Sequence, residues 1–129
     1  MTLPSDIDPE CIPLCNAINR VPGLSTIESC CGHAKDEFDI WFKATKLNSL
    51  YVVARCIDIR YTTVKGWVCE VVDRDHCDDP VRFWLHSSCI SRGLVGVGKV
   101  LIYQEANTIA KDINAFMDNK KFVKMFGIK

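Results

Sequence analysis

From Asp36 to Lys43 the chain reads Asp-Glu-Phe-Asp-Ile-Trp-Phe-Lys. Phe38, Ile40 and Phe42 fall on one side of this segment; Asp39, Trp41 and Lys43 fall on the other. Side chains of an extended strand point alternately to its two faces, so a period of two marks a half-buried strand. That constrains the whole fold. An apolar strand face has to be covered, while the other face meets water. Trp41 stands on the more polar face, where it packs beneath a helix or stacks on a ligand.

The rest of the chain supplies the cover. Asp8 and Pro9 read as a helix start, a cap followed by a first-turn proline. Pro13 places the regular part at residues 12 to 21. Cys11, Cys15 and Ile18 share one face there, flanked by Leu14 and Val21, and Pro22-Gly23 ends the helix. Residues 25 to 29 form a short strand candidate. Residues 46 to 60 keep a three-four spacing through Leu47, Leu50, Ala54, Ile57 and Tyr61, which predicts a second helix. Strands are predicted over 66 to 73, with Trp67, Cys69 and Val71 on one face, and over 81 to 86, with Val81, Phe83 and Leu85 inward. Residues 95 to 102 read as a further strand or an extended connection beside Gly93, Gly96 and Gly98. The last long helix is predicted over 104 to 118, with Ala106, Ile109, Ile113 and Phe116 as its apolar stripe. The order helix-strand-strand occurs twice before this helix. It predicts a single α+β domain over residues 1–129, with helices covering a mainly antiparallel sheet.

Composition agrees with a folded chain of this kind. The 129 residues are 48% hydrophobic, enough for a substantial core. No run of 18 apolar residues is present, so no membrane association through a span is expected. The first ten residues carry acids and prolines without an apolar signal core, which points to a cytoplasmic location. There the eight cysteines are expected to be reduced thiols rather than a disulfide framework. Net charge is zero, giving no global pull toward nucleic acid. Residues 111 to 129 nevertheless hold five bases and two acids, suited to phosphate or to a solvated helix end. Phe122, Val123, Met125 and Phe126 close the chain; they are expected to pack back onto the body or to mediate self-association.

Two clusters carry candidate chemistry. The turn Ser29-Cys30-Cys31-Gly32-His33 follows a strand and precedes another. A glycine bend there can expose backbone N–H groups, and Ser29, Cys30, Cys31 and His33 can line a small ligand pocket, with His86 joining it; the alternative is a purely structural turn in a non-catalytic structural or protein-interaction domain. Adjacent strand residues face opposite ways, so one cysteine of the pair lines any such pocket. Asp36 and Glu37 lie just beyond and suit either an orienting role for His33 or a solvated loop. The alternative cluster is Cys69, His76, Cys77, His86 and Cys89, which could hold structural zinc if four of its members converged. No paired Cys-x-x-Cys knuckle accompanies it.

The segment Ile12-Pro-Leu-Cys-Asn-Ala-Ile-Asn-Arg20, followed by Ser25-Thr-Ile-Glu-Ser-Cys-Cys-Gly-His33, resembles the opening of the tRNA wybutosine-synthesizing protein 3 family. The likeness lies in an Ile-Asn helix end, a short Thr-containing strand and a Ser-Cys-Ser-Gly-Arg turn, and it covers about a third of the chain. Ser29, Cys30 and Gly32 fall on that turn; Cys31 stands in place of its second serine and His33 in place of its arginine. The resemblance implies an α/β fold, S-adenosylmethionine as cofactor and RNA as partner in methyl transfer to a tricyclic guanine derivative. Replacing the arginine removes a bidentate donor for phosphate or carboxylate. Short uncharacterised bacterial and phage proteins with a Ser-Cys-Cys-Gly-His turn are similar as well.

Overall fold

In the computed structural model, residues 7–32, 37–58, 60–62, 64–72, 81–88 and 99–128 are described. A short 3-10 turn, Pro9–Cys11, leads into α1 (Ile12–Arg20). Then come β1 (Leu24–Cys30), β2 (Glu37–Ala44), α2 (Leu47–Cys56), β3 (Val68–Val71), β4 (Val81–Ser88), α3 (Lys99–Asp118) and α4 (Lys120–Met125). The fold is α+β: a four-stranded sheet in the order β1-β2-β4-β3, every neighbouring pair antiparallel, packed against helices. β4 runs between β2 and β3, so strands distant in sequence become neighbours.

Register follows the alternation read in the sequence. Phe42 lies opposite Phe83 and Ile40 opposite Leu85, on the covered face of the sheet. Phe38, Ile40, Phe42, Phe83 and Leu85 are buried there with Leu14, Ile18, Ile109 and Ile113 from α1 and α3. Trp67 and Tyr103 pack against Phe38, and the Trp67 indole N–H donates to Glu105 at 3.0 Å. The predicted faces of α1 and α3 are both buried.

Several expectations are corrected. The Asp8 side chain makes no cap bond to its helix; its carboxylate accepts from the Cys31 N–H at 3.0 Å. Residues 99 to 102 form the first turn of α3 rather than a strand, and Ile102 is buried by the same stripe as Ala106; residues 95 to 98 lie outside those described. α2 ends at Cys56, four residues short of the expected 60. Its buried face is Ser49, Val52, Val53 and Cys56, not the row beginning at Leu47. The Ser49 hydroxyl donates to the Pro22 carbonyl, which satisfies a polar group at a core position and lets this row turn inward.

The chain's end folds back. Asn119 caps α4 by accepting from the Phe122 N–H at 3.1 Å. Phe122 and Phe126 pack with Phe116, and Tyr51 of α2 lies 4.8 Å from Phe126. Ile128 is fully buried, and Met125 stays exposed. Most of the apolar tail is thus used within the chain.

Candidate functional site

The second face of the sheet carries no described helix. Antiparallel partners point the same way, so the register places Cys30, Asp39 and His86 in one row across β1, β2 and β4. Glu28, Trp41, Trp84 and Glu70 form the next row, and Ser25, Lys43 and Arg82 follow. An irregularity in β1 between Thr26 and Glu28 brings Glu28 onto this face.

These side chains form one connected strip. Trp41 and Trp84 stack with ring centroids 5.6 Å apart. Trp84 in turn stacks on His86 at 3.6 Å, with 16° between the planes. His86 Nδ1 lies 2.9 Å from a Glu37 oxygen and Nε2 lies 2.8 Å from a Glu70 oxygen. A protonated imidazole donates to both carboxylates; either neutral tautomer donates to one. The His86 side chain is 13% exposed, so its ring is held on both edges and one face. Asp39 accepts from the Trp84 indole N–H at 3.2 Å and is also hydrogen-bonded by Trp41. Burial raises the Asp39 pKa above the ordinary carboxylate value. The two indole bonds oppose that shift, and the nearby charges of Glu28 and Glu37 add to it.

The Ser29-Cys30-Cys31-Gly32-His33 turn divides between the two faces. Cys30 joins the open face, where its sulfur accepts from the Gly32 N–H at 3.4 Å. Ser29 lies opposite Ile40, and its hydroxyl is hydrogen-bonded with the thiols of Cys11 and Cys15. Cys31 is buried in the core. Gly32 has φ +72°, and a Cβ there would stand 2.6 Å from the Glu37 carbonyl oxygen. Glycine is therefore required where the turn closes onto the start of β2. His33 lies outside the described residues.

Of the sequence-predicted pocket, the sheet brings Cys30 and His86 to one face and sends Ser29 and Cys31 to the other. In the zinc alternative, His76, Cys77 and Cys89 are outside the described residues. Cys69 lies opposite Leu85 on the covered face, so it points away from His86. Among the described residues no three His, Cys, Asp or Glu side chains are grouped to hold a metal ion. The six described cysteines are free thiols. Burial pushes Cys69 and Cys56 up to about 12 and drives Cys11 and Cys15 upward as well, so these thiols are poor nucleophiles.

Sequence reasoning missed Trp84, Glu70 and Asp39 as members of a site, and placed Glu37 beside His33 rather than His86. A signal for them was present: residues 82, 84 and 86 alternate with the apolar side of their strand as residues 37, 39, 41 and 43 do with theirs. Only the pairing of β2 with β4 turns two polar edges into one surface. No helix is long and apolar enough to cross a membrane among the described residues. No protein-family model matches the chain, and no curated protein or solved structure matches it.

Proposed function

We propose that this chain is a ligand-binding protein whose site is the open face of the sheet beside the 29 to 33 turn. The observation that carries the reading is the Trp41–Trp84–His86 stack, with Trp84 held by Asp39 and His86 held by Glu37 and Glu70. Trp84 is sandwiched between Trp41 and His86, so a flat group would extend the stack from the Trp41 end. Glu28, Glu37, Asp39 and Glu70 around them favour a positive charge, as the aromatic faces themselves do. The ligand is therefore a small organic cation with a stackable ring.

S-adenosylmethionine meets that description through its sulfonium and adenine, and the family resemblance makes it the first ligand to test. RNA is the less favoured partner of this face, because phosphates would approach a surface rich in carboxylates. Structural zinc at His86 would have to displace a carboxylate from one of its two ring nitrogens.

Tryptophan fluorescence reads the site directly, since Trp41 and Trp84 lie in it. Titration with S-adenosylmethionine should give a saturable change. Trp84→Ala should weaken binding at least tenfold, about 1.4 kcal/mol, while Trp84→Phe, which keeps a stacking ring, should retain most of it. No saturable change up to about 1 mM ligand, in protein shown to be folded, would remove S-adenosylmethionine. A panel of other ring-bearing cations that also failed would remove the reading. A short tRNA fragment binding with an affinity that Trp84→Ala leaves unchanged would place RNA elsewhere on the molecule.

A further inference from the structure

On the helical side of the molecule, a cavity of about 300 Å³ opens between the end of α2, α3 and α4. Its volume lies at the lower end of the range for ligand pockets, about 300–1,000 Å³. Tyr61, Phe116 and Phe122 supply aromatic walls, and Arg55, Asp112 and Cys56 supply the polar and ionisable groups.

The two charges are not used on each other. The Arg55 guanidinium lies 4.1 Å from the Tyr61 ring centroid and 5.5 Å from that of Phe122. One of its nitrogens donates to the Tyr51 hydroxyl at 3.1 Å. A guanidinium has five N–H donors in a planar fork, so the contact with Tyr51 leaves donors available while the rings hold the plane in place. Asp112, one α3 turn before Phe116, makes no hydrogen bond or ion pair among the described residues. Partial burial raises its pKa above the ordinary carboxylate value. The Cys56 thiol is set in the same wall, so Arg55, Cys56 and Asp112 line one space. A cation and an anion that face a common space without pairing leave room for a molecule that carries both.

We propose that this cavity binds a small zwitterion of the α-amino-acid class, with its carboxylate on Arg55, its ammonium on Asp112 and its apolar side group against Phe116 and Phe122. A simple anion would leave Asp112 without a partner, and a simple amine would meet the Arg55 charge unopposed. The site is separate from the open sheet face, and its occupancy does not depend on what that face binds.

The test is calorimetric titration of the full chain with L-phenylalanine, 3-phenylpropionate and 2-phenylethylamine. The last two each lack one charge of the first. L-Phenylalanine should bind saturably, and each analogue at least tenfold more weakly. Asp112→Asn should weaken L-phenylalanine about tenfold and leave 3-phenylpropionate unchanged. Arg55→Gln should do the same relative to 2-phenylethylamine; if that variant does not fold, the analogue comparison and Asp112→Asn decide. Trp84→Ala should leave L-phenylalanine binding unchanged, which separates this site from the sheet face. Absence of saturable L-phenylalanine binding at about 1 mM would overturn the proposal. So would either analogue binding as tightly as L-phenylalanine, which would make the cavity an anion site or an amine site.

Discussion

Two aromatic pairs bridge β2 and β4 at neighbouring positions in one register. Phe42 stacks on Phe83 and Trp41 on Trp84, each with ring centroids 5.6 Å apart. The first pair is buried beneath the helices; the second lies on the face that carries no described helix. Identical spacing on the two faces shows that strand pairing alone brings the rings together. What differs is their surroundings. Phe42 and Phe83 meet only the demand for apolar volume. Trp41 and Trp84 present indole N–H groups to a carboxylate, and Trp84 passes the stack on to a histidine held between two more. A core aromatic pair needs no such polar company; an indole N–H does, because it seeks an acceptor wherever the ring is packed.

The sharpest way to break this comparison is to truncate the covered pair. Phe42→Ala should cost about 3–5 kcal/mol, the usual range for opening a phenylalanine-sized cavity in a core. Urea denaturation measures it, and a loss under about 1 kcal/mol would mean that the helices do not close tightly over the sheet. Gly32→Ala comes next. The added Cβ would press on the Glu37 carbonyl in a left-handed backbone, at a cost of about 1–3 kcal/mol. Because Glu37 opens β2 and contacts His86, this variant should also disturb the open face, visible as a shift of the His86 ring resonances in NMR spectra. Trp84→Ala should be milder, about 1–2 kcal/mol, since the ring is part-exposed. Its larger consequence should be on ligand binding. A variant that loses stability on the Phe42→Ala scale with no change in binding would make Trp84 a core residue in all but position.

Asp39 gives the comparison a pH dependence. Its carboxyl is raised in the folded protein, chiefly by burial, so the folded state holds the proton more tightly than the unfolded chain. Its contribution to stability is fully present below the ordinary value of 3.8 and is lost as pH rises through the raised folded value. Asp39→Asn removes this titration. The stability of the natural protein relative to the variant should therefore fall from about pH 3 toward neutrality and then level off. Thermal unfolding of both proteins across that range checks the sign. A relative stability that climbs with pH would mean that the two indole bonds outweigh burial.

Much of the fold was legible because its signals are local. The alternation through Phe38, Ile40 and Phe42 and the stripe from Ala106 to Phe116 report their own elements without help from distant residues. The start of α3 was hidden by Gly93, Gly96 and Gly98, which gave the preceding segment an extended look. The candidate site was legible in pieces only. Cys30 and His86 were singled out, and Trp41 was noticed on the polar side of its strand. What joins them is β4 lying between β2 and β3, a long-range pairing that places Glu37 and Glu70 on either edge of one imidazole. No local spacing encodes that order.

The smallest predicted effect sharpens the same contrast between covered and uncovered faces on α2. Leu47 opens the apolar three-four row that predicts this helix, yet it is 73% exposed, while the polar Ser49 is fully buried. The Ser49 hydroxyl bond to the Pro22 carbonyl explains the exchange, because a satisfied hydroxyl is cheap to bury and its helical neighbours Val52, Val53 and Cys56 then form the inward row. Ser49→Ala should cost about 1 kcal/mol by leaving that carbonyl without its donor. Leu47→Gln should change stability by no more than about 0.5 kcal/mol, as surface substitutions usually do. Denaturation midpoints of the two variants measured side by side test the orientation of the helix. If Leu47→Gln proved the costlier of the two, α2 would be rotated toward the face counted from its leucines, and the cavity walled by Arg55 and Cys56 would have to be redrawn with it.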